Sequence, residues 1–380
     1  MLNIEKNIFL QPPLSPVEKG RKIVVSIIVM LIIFLVSCVE QPVGNPQNTV
    51  DSVGLKGAFV LCEGLWGMDN ASLSVYNFDN GKLTNDYFGI QNNGLRLGDL
   101  ANDIVVASDT VLIAVSGTKT IESFRLSTGK SLGRIILEGR SCPRKICVIN
   151  DSIGFFTDLY DNSIIEFNYK KMELTGNRII VGPAPEGICS ASNNIFVANS
   201  GYGDYMADKP LAGTVSVIEL KSKTVIKSLI NLPNVIDVFY NRQFNRLYAV
   251  YNNLPSLKDS LGGIVEFNGT TFGEIRRWRL YAKSLCASES GDTLFFLNNI
   301  GIGILEINSQ NSEVRQLIIN NNPNEKWYAL SYRTIDKTLW VGNALNYQVE
   351  GELLIFDLNS KSSPFIKLKV GINPNRIVFY

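Results

Sequence analysis

The chain of 380 residues contains no histidine. That removes Ser-His-Asp and Cys-His nucleophile pairs, histidine metal sites and imidazole proton transfer together. Any reaction would fall to carboxylates, lysine, tyrosine or a bound cofactor, and the candidate carboxylates are Asp103, Glu186 and Asp237. There is no G-x-S-x-G, phosphate loop, dinucleotide fingerprint or EF-hand spacing, and the six cysteines show no zinc pattern. What does recur is a combination of aromatic rings and amides in polar segments. Trp66 and Asn70 stand in 63–71, Tyr160 and Asn162 in 158–163, and Asn199, Tyr202 and Tyr205 in 199–213. Tyr251 and Asn252 open 251–262, and Asn343 and Tyr347 lie in 342–350. Rings give stacking area and amides give oriented hydrogen bonds, the combination that holds a large neutral polar ligand.

These segments interrupt a repeated strand pattern. Residues 183–220 contain three strand-like runs, at 186–191, 194–198 and 214–220, and a turn leads to a fourth at 224–230. Four strands joined in sequence form one propeller blade. A tetrapeptide opens each unit: Pro-x-x-Ile from Pro143, Pro185, Pro233 and Pro374, Ala-x-x-Ile from Ala101, and Ala-x-x-Leu from Ala282. Trp327-Tyr328-Ala329-Leu330 fills the remaining slot. The step between markers is about 42 to 49 residues, the period of a four-stranded blade. Six full units run from 101 to 370, and a partial one covers 57–88. Its missing first strand is supplied by 374–380, so the expected fold is an all-β, seven-bladed β-propeller closed by both ends of the chain in one shared blade.

In such a ring the loops between second and third strands open on one face, and these are the aromatic segments. The opposite face carries short hairpins such as 79–81 and 127–129. The second marker positions, Asn102, Arg144, Glu186, Asn234, Lys283, Tyr328 and Asn375, should rim the central channel, with Asp103 and Arg376 beside them. Their charges are mixed, so no strong field for an anion is implied, and Tyr328 joins the candidate ligand contacts. Asp237 falls one residue past Ile236, where other blades have Cys or Val.

With 45% hydrophobic, 10% aromatic and 19% charged residues the chain can bury a large core, and one propeller over 57–380 accounts for it as a single domain. A net charge of +1 gives no electrostatic footprint for nucleic acid. Cys147, Cys189 and Cys286 each follow the marker directly, which makes them small residues in equivalent core slots. Cys142 and Cys147 are spaced so that they could pair, but the neighbours of Cys147 in strand one argue for packing.

Lys19, Arg21 and Lys22 precede the apolar run 23–36, which ends in Leu35-Val36-Ser37-Cys38. This resembles a bacterial lipoprotein signal peptide. The resemblance implies that residues 1–37 are a signal with a long leader, that Cys38 is lipidated, and that 38–56 is a flexible tether.

The frame F-V-L-C-E-G-L-W-G-M-D-N-A-S-L-S-V-Y-N at 59–77, followed by L-T-N-D-Y-F at 83–88 and L-G-D-L-A-N-D-I at 97–104, resembles the YncE-like surface lipoproteins with seven-bladed propellers. Within them the BtuG type captures cobalamin and passes it to a TonB-dependent outer-membrane transporter. The resemblance therefore implies a non-enzymatic ligand-binding protein without cofactor, anchored at the outer membrane and displayed at the cell surface. The expected ligand is a bulky small molecule, cobalamin or another corrinoid, and no protein imidazole could ligate its cobalt. Two alternatives from other classes are a scaffold for protein or glycan and a lactonase-like hydrolase. The second would use Asp103, Glu186 and Asp237.

Overall fold

Short runs rich in β-branched and aromatic residues, bounded by Gly, Asn and Asp turns, make nearly every element a strand. The computed structural model describes residues 56–257, 261–307, 313–359 and 363–380. The signal segment, Cys38 and the tether up to 55 lie outside the described residues. The strands form seven four-stranded antiparallel sheets. Blades 1 to 6 span 101–136, 143–180, 185–229, 235–279, 283–319 and 327–372, each meandering from the channel outwards. The closing blade is ordered Pro374–Phe379, Gly57–Cys62, Ser72–Asn77, Leu83–Thr84, so its innermost strand is the last of the chain. Within the described residues the one helix is short, α1 at Tyr87–Gln91, in the link from the closing blade to blade 1.

The closure is a full ladder. Ala58 pairs with Phe379 and Val60 with Ile377, and the ring of Phe59 stacks on Tyr380 at 4.3 Å. At the other end of the strand Glu63 N donates to Asn373 O at 2.9 Å. The first described strand thus begins on the face of the short hairpins and ends on the face of the long loops.

The core sits between blades. Seven apolar clusters occupy the seven blade interfaces, one each. Cys147, Cys189 and Cys286 oppose Phe155, Phe196 and Phe295 across the first strand pair of their blades, so small and large side chains alternate within a fixed spacing. All three are buried and free. Cys142 is also free, because it packs with Leu159 and Ala184 in a separate cluster beneath the loop face while Cys147 faces the interface of blades 2 and 3.

Every innermost strand carries a β-bulge, and the bulge is the marker tetrapeptide. Ala101 pairs with Val115 and Asp103 with Ala114, and the same slip recurs in the other six blades. Two residues then oppose one, which re-aims the strand where it meets the channel. Blade 4 corrects the sequence register. Val235 pairs with Tyr251 and Val238 with Ala249, so Val235-Ile236-Asp237-Val238 is the equivalent of Pro185-Glu186-Gly187-Ile188. Pro233 and Asn234 lie in the preceding link, where Asn234 Nδ2 donates to Asn253 O at 3.1 Å. The rim residue of blade 4 is Ile236, and Asp237 occupies the slot of Asp103.

Deleting 374–380 should leave the edge of Gly57–Cys62 unpaired and open two blade interfaces. Loss of the cooperative thermal transition with self-association in sedimentation velocity is expected, and an unchanged transition would contradict closure of the ring by the shared blade. Phe196→Ala, at the interface of blades 3 and 4, should cost about 3–5 kcal/mol in denaturant unfolding.

Candidate functional site

The seven bulges place two tiers of side chains around the channel. The lower tier is Asp103, Lys145, Gly187, Asp237, Ser284, Ala329 and Arg376. It stitches neighbouring blades, whose inner strands share no ladder. Asp103 Oδ2 accepts from Ile146 N at 2.9 Å, and Ser284 Oγ accepts from Leu330 N at 2.8 Å. Asp103 Oδ1 faces Arg376 Nε at 3.2 Å and Lys145 Nζ at 3.7 Å. Gly187 is required here, because a Cβ would come within 2.6 Å of Asp237 Cα. Asp237 keeps a little surface but is surrounded by protein, and burial pushes its carboxyl up against the opposing pull of Lys145 and Arg376.

The upper tier, Asn102, Arg144, Glu186, Ile236, Lys283, Tyr328 and Asn375, forms the mouth. Arg144 Nε meets Glu186 Oε2 at 2.9 Å. Glu63 enters from the closing blade and accepts from Asn102 Nδ2 at 2.9 Å and from Tyr328 OH at 3.1 Å. Burial raises the pKa of Glu63, while Arg144, the Tyr328 hydrogen bond and Lys145 pull it back. The phenol of Tyr328 is also held protonated, first by burial and then by the Glu63 charge. Tyr347 stands edge-on to Tyr328, with centroids 5.6 Å apart at 88°. Lys283 Nζ lies 5.5 Å from the centroid of the Tyr328 ring.

Around this mouth the loops divide the sequence-expected contacts into two groups. Trp66, Tyr160, Tyr202, Tyr205 and Tyr347 are the five strongly exposed Trp and Tyr side chains among the described residues, and all lie on loops of this face. Trp66 and Tyr205 are 80% and 78% exposed. Tyr202 and Tyr205 touch edge to face, and Tyr160 lies within electrostatic reach of Tyr202 and Arg144.

The amides, in contrast, build the loops. Asn199 is fully buried and donates to Thr214 Oγ1 and Ser216 Oγ, each at 2.9 Å. Asn343 is buried, accepts from Lys326 N and donates to Glu352. Asn70 Oδ1 accepts from Leu65 N, and Asn162 Oδ1 accepts from Ala184 N. Tyr251 is buried with the Arg277 guanidinium 5.4 Å from its ring centroid, and Asn252 Oδ1 is a buried atom without a hydrogen-bond partner. The structure therefore gathers Tyr328 and Tyr347 at the mouth with Tyr160, Tyr202 and Tyr205 near it, and withdraws Asn199, Asn343, Asn70 and Tyr251 into the scaffold. Glu63 was not singled out in the sequence. Its signal was a carboxylate at the end of a strand that abuts the inner ring.

A model of a domain of unknown function, DUF5074, matches residues 56–335. The chain belongs to this family. The DUF5074 match begins at the first described strand and ends within blade 6. Comparison with curated proteins gives no match. Similar solved structures include a protein from Lactobacillus plantarum, 11% identical, with TM-score 0.64 over 86% of this chain and 100% of that one. A quinonprotein alcohol dehydrogenase-like protein from Bacteroides thetaiotaomicron is 13% identical, with TM-score 0.63 over 85% and 78%. A candidate 6-phosphogluconolactonase from Bacteroides fragilis is 13% identical, with TM-score 0.60 over 88% and 99%. At these identities the likeness is one of fold, and the names differ from one another.

Because Glu63 holds its proton to higher pH when folded than when unfolded, its contribution to stability is largest below its ordinary value of 4.5 and is lost as pH rises through the folded value. Glu63→Gln should flatten the fall in Tm as pH rises above the ordinary carboxylate value of 4.5. A curve parallel to that of the parent would contradict this placement of the carboxylate.

Proposed function

We propose that this DUF5074 propeller is a non-enzymatic, lipid-anchored outer-membrane protein that captures a bulky small molecule over the channel mouth and hands it to a TonB-dependent transporter. A corrinoid such as cobalamin is the candidate ligand, in line with the resemblance to YncE-like lipoproteins of the BtuG type. The observation that carries the reading is the one-sided display of the five exposed Trp and Tyr rings, with Tyr347 packed against Tyr328 over a hydrogen-bonded carboxylate. Rigid rings on a closed scaffold provide stacking area at low entropic cost, and the mouth supplies fixed polar partners. The first described strand begins on the opposite face, at Gly57.

A hydrolase would need a carboxylate free to act as base or to hold a metal. Glu186 is engaged by Arg144, and Asp103 by Arg376 and Lys145, in two different tiers. Of the three candidates that leaves Asp237, which accepts from Val238 N and forms no ion pair among the described residues, as the one carboxylate the lactonase-like alternative could use. One observation favours a second reading, a scaffold that docks a protein or glycan: Met68, Leu261 and Ile300 are also exposed on this face.

Isothermal titration of the full chain in detergent with cyanocobalamin separates the two. One-to-one binding is expected, weakened about 3- to 10-fold by Tyr347→Ala and unchanged by Phe365→Ala, which lies away from the mouth. No heat of binding would overturn the corrinoid reading and shift weight to a macromolecular partner.

A further inference from the structure

Of the four cations in the two tiers, Lys283 is the one that forms no ion pair among the described residues. Arg144 faces Glu186, and Asp103 faces Arg376 and Lys145. Those two cations also act on Asp237, and Arg144 and Lys145 act on Glu63. Among the described residues, Lys283 forms no ion pair, and the ring of Tyr328 is the one partner of its ammonium. Its neighbours in the upper tier are Ile236 and Tyr328, so no carboxylate flanks it on either side. Burial pulls its pKa below the ordinary value of 10.5 with no opposing charge.

An ammonium has three donors and is strongly hydrated, and a contact with a ring face replaces only part of that hydration. A half-buried cation in this position costs free energy that the scaffold does not require. The equivalent slot next door is filled by Ile236, which shows that an apolar side chain serves the fold there. What the position gains from lysine is a donor set beside the Tyr328 ring from which no acceptor of the described residues takes a hydrogen bond.

We propose that Lys283 is the docking point for an anionic oxygen group, a phosphate or a carboxylate, carried by the molecule that occupies the mouth. The inference rests on the reading of the mouth as a ligand site and narrows the ligand's chemistry. The bulky part lies on Tyr328 and Tyr347, and its oxyanion accepts hydrogen bonds from the Lys283 ammonium.

The test uses inorganic phosphate and acetate as probes, each added alone to the full chain in detergent. In protein with 13C-methylated lysines, the Lys283 resonance is identified by its loss in Lys283→Met and in Lys283→Arg. It should titrate at lower pH than the exposed lysines, and at least one anion should move its midpoint upwards. By thermal shift, Lys283→Met should weaken binding of that anion about tenfold or more, and Lys283→Arg should retain it within about threefold. The proposal is overturned if neither anion moves the midpoint, or if Lys283→Met responds to the anion as the parent does. Because neither probe needs the larger ligand, failure of cyanocobalamin to bind would be seen separately from failure of the anion site.

Discussion

The ladder between the last strand of the chain and the first described one is the constraint on which the rest depends. Six blades come from continuous stretches, but a ring of six with an open seventh position would expose two interfaces and an unpaired edge. Pairing Val60 with Ile377 completes the seventh blade and places Asn375 and Arg376 in the channel. It also brings Glu63 beside Asn102 and Tyr328, residues 39 and 265 positions away in sequence. The mouth is thus a product of closure, since its central carboxylate belongs to the blade that joins the two ends.

Within the closed ring, the repeated bulge does the positioning. An unbroken strand would alternate its side chains between the two faces of each blade. The slip at each marker brings two successive residues to the inner end of the blade, one per tier. The lower tier is spent on holding blades together, through Asp103 to Ile146 N and Ser284 to Leu330 N. The upper tier forms the mouth, and the long loops above it supply the exposed rings.

Much of the fold was legible because the repeat is written in short, regular strands with turn residues between them. The period, the seven units and the shared blade all follow from the markers. The register of blade 4 was not legible, since Pro233-x-x-Ile236 imitates the marker while the pairing of Val235 with Tyr251 sets the true frame. The site was read in part. Exposed Trp and Tyr rings fall on the loop face as expected, but Asn199 and Asn343 were drawn inwards because a long loop must satisfy its own backbone donors and acceptors. Sequence gives an amide's place in a loop and not whether its partner is a ligand or the loop itself. The isolation of Lys283 was equally invisible, since it depends on which residues flank it around the ring.

The proposed function requires ligand to be held on the loop face at the mouth, against Tyr328 and Tyr347. Hydrogen–deuterium exchange of the full chain, with and without saturating cyanocobalamin, tests it most directly. Slower exchange is expected in 63–71, 326–330 and 344–349, with the hairpins at 79–81 and 127–129 unchanged. Protection confined to those hairpins or to the outer strands, or no protection anywhere, would contradict it.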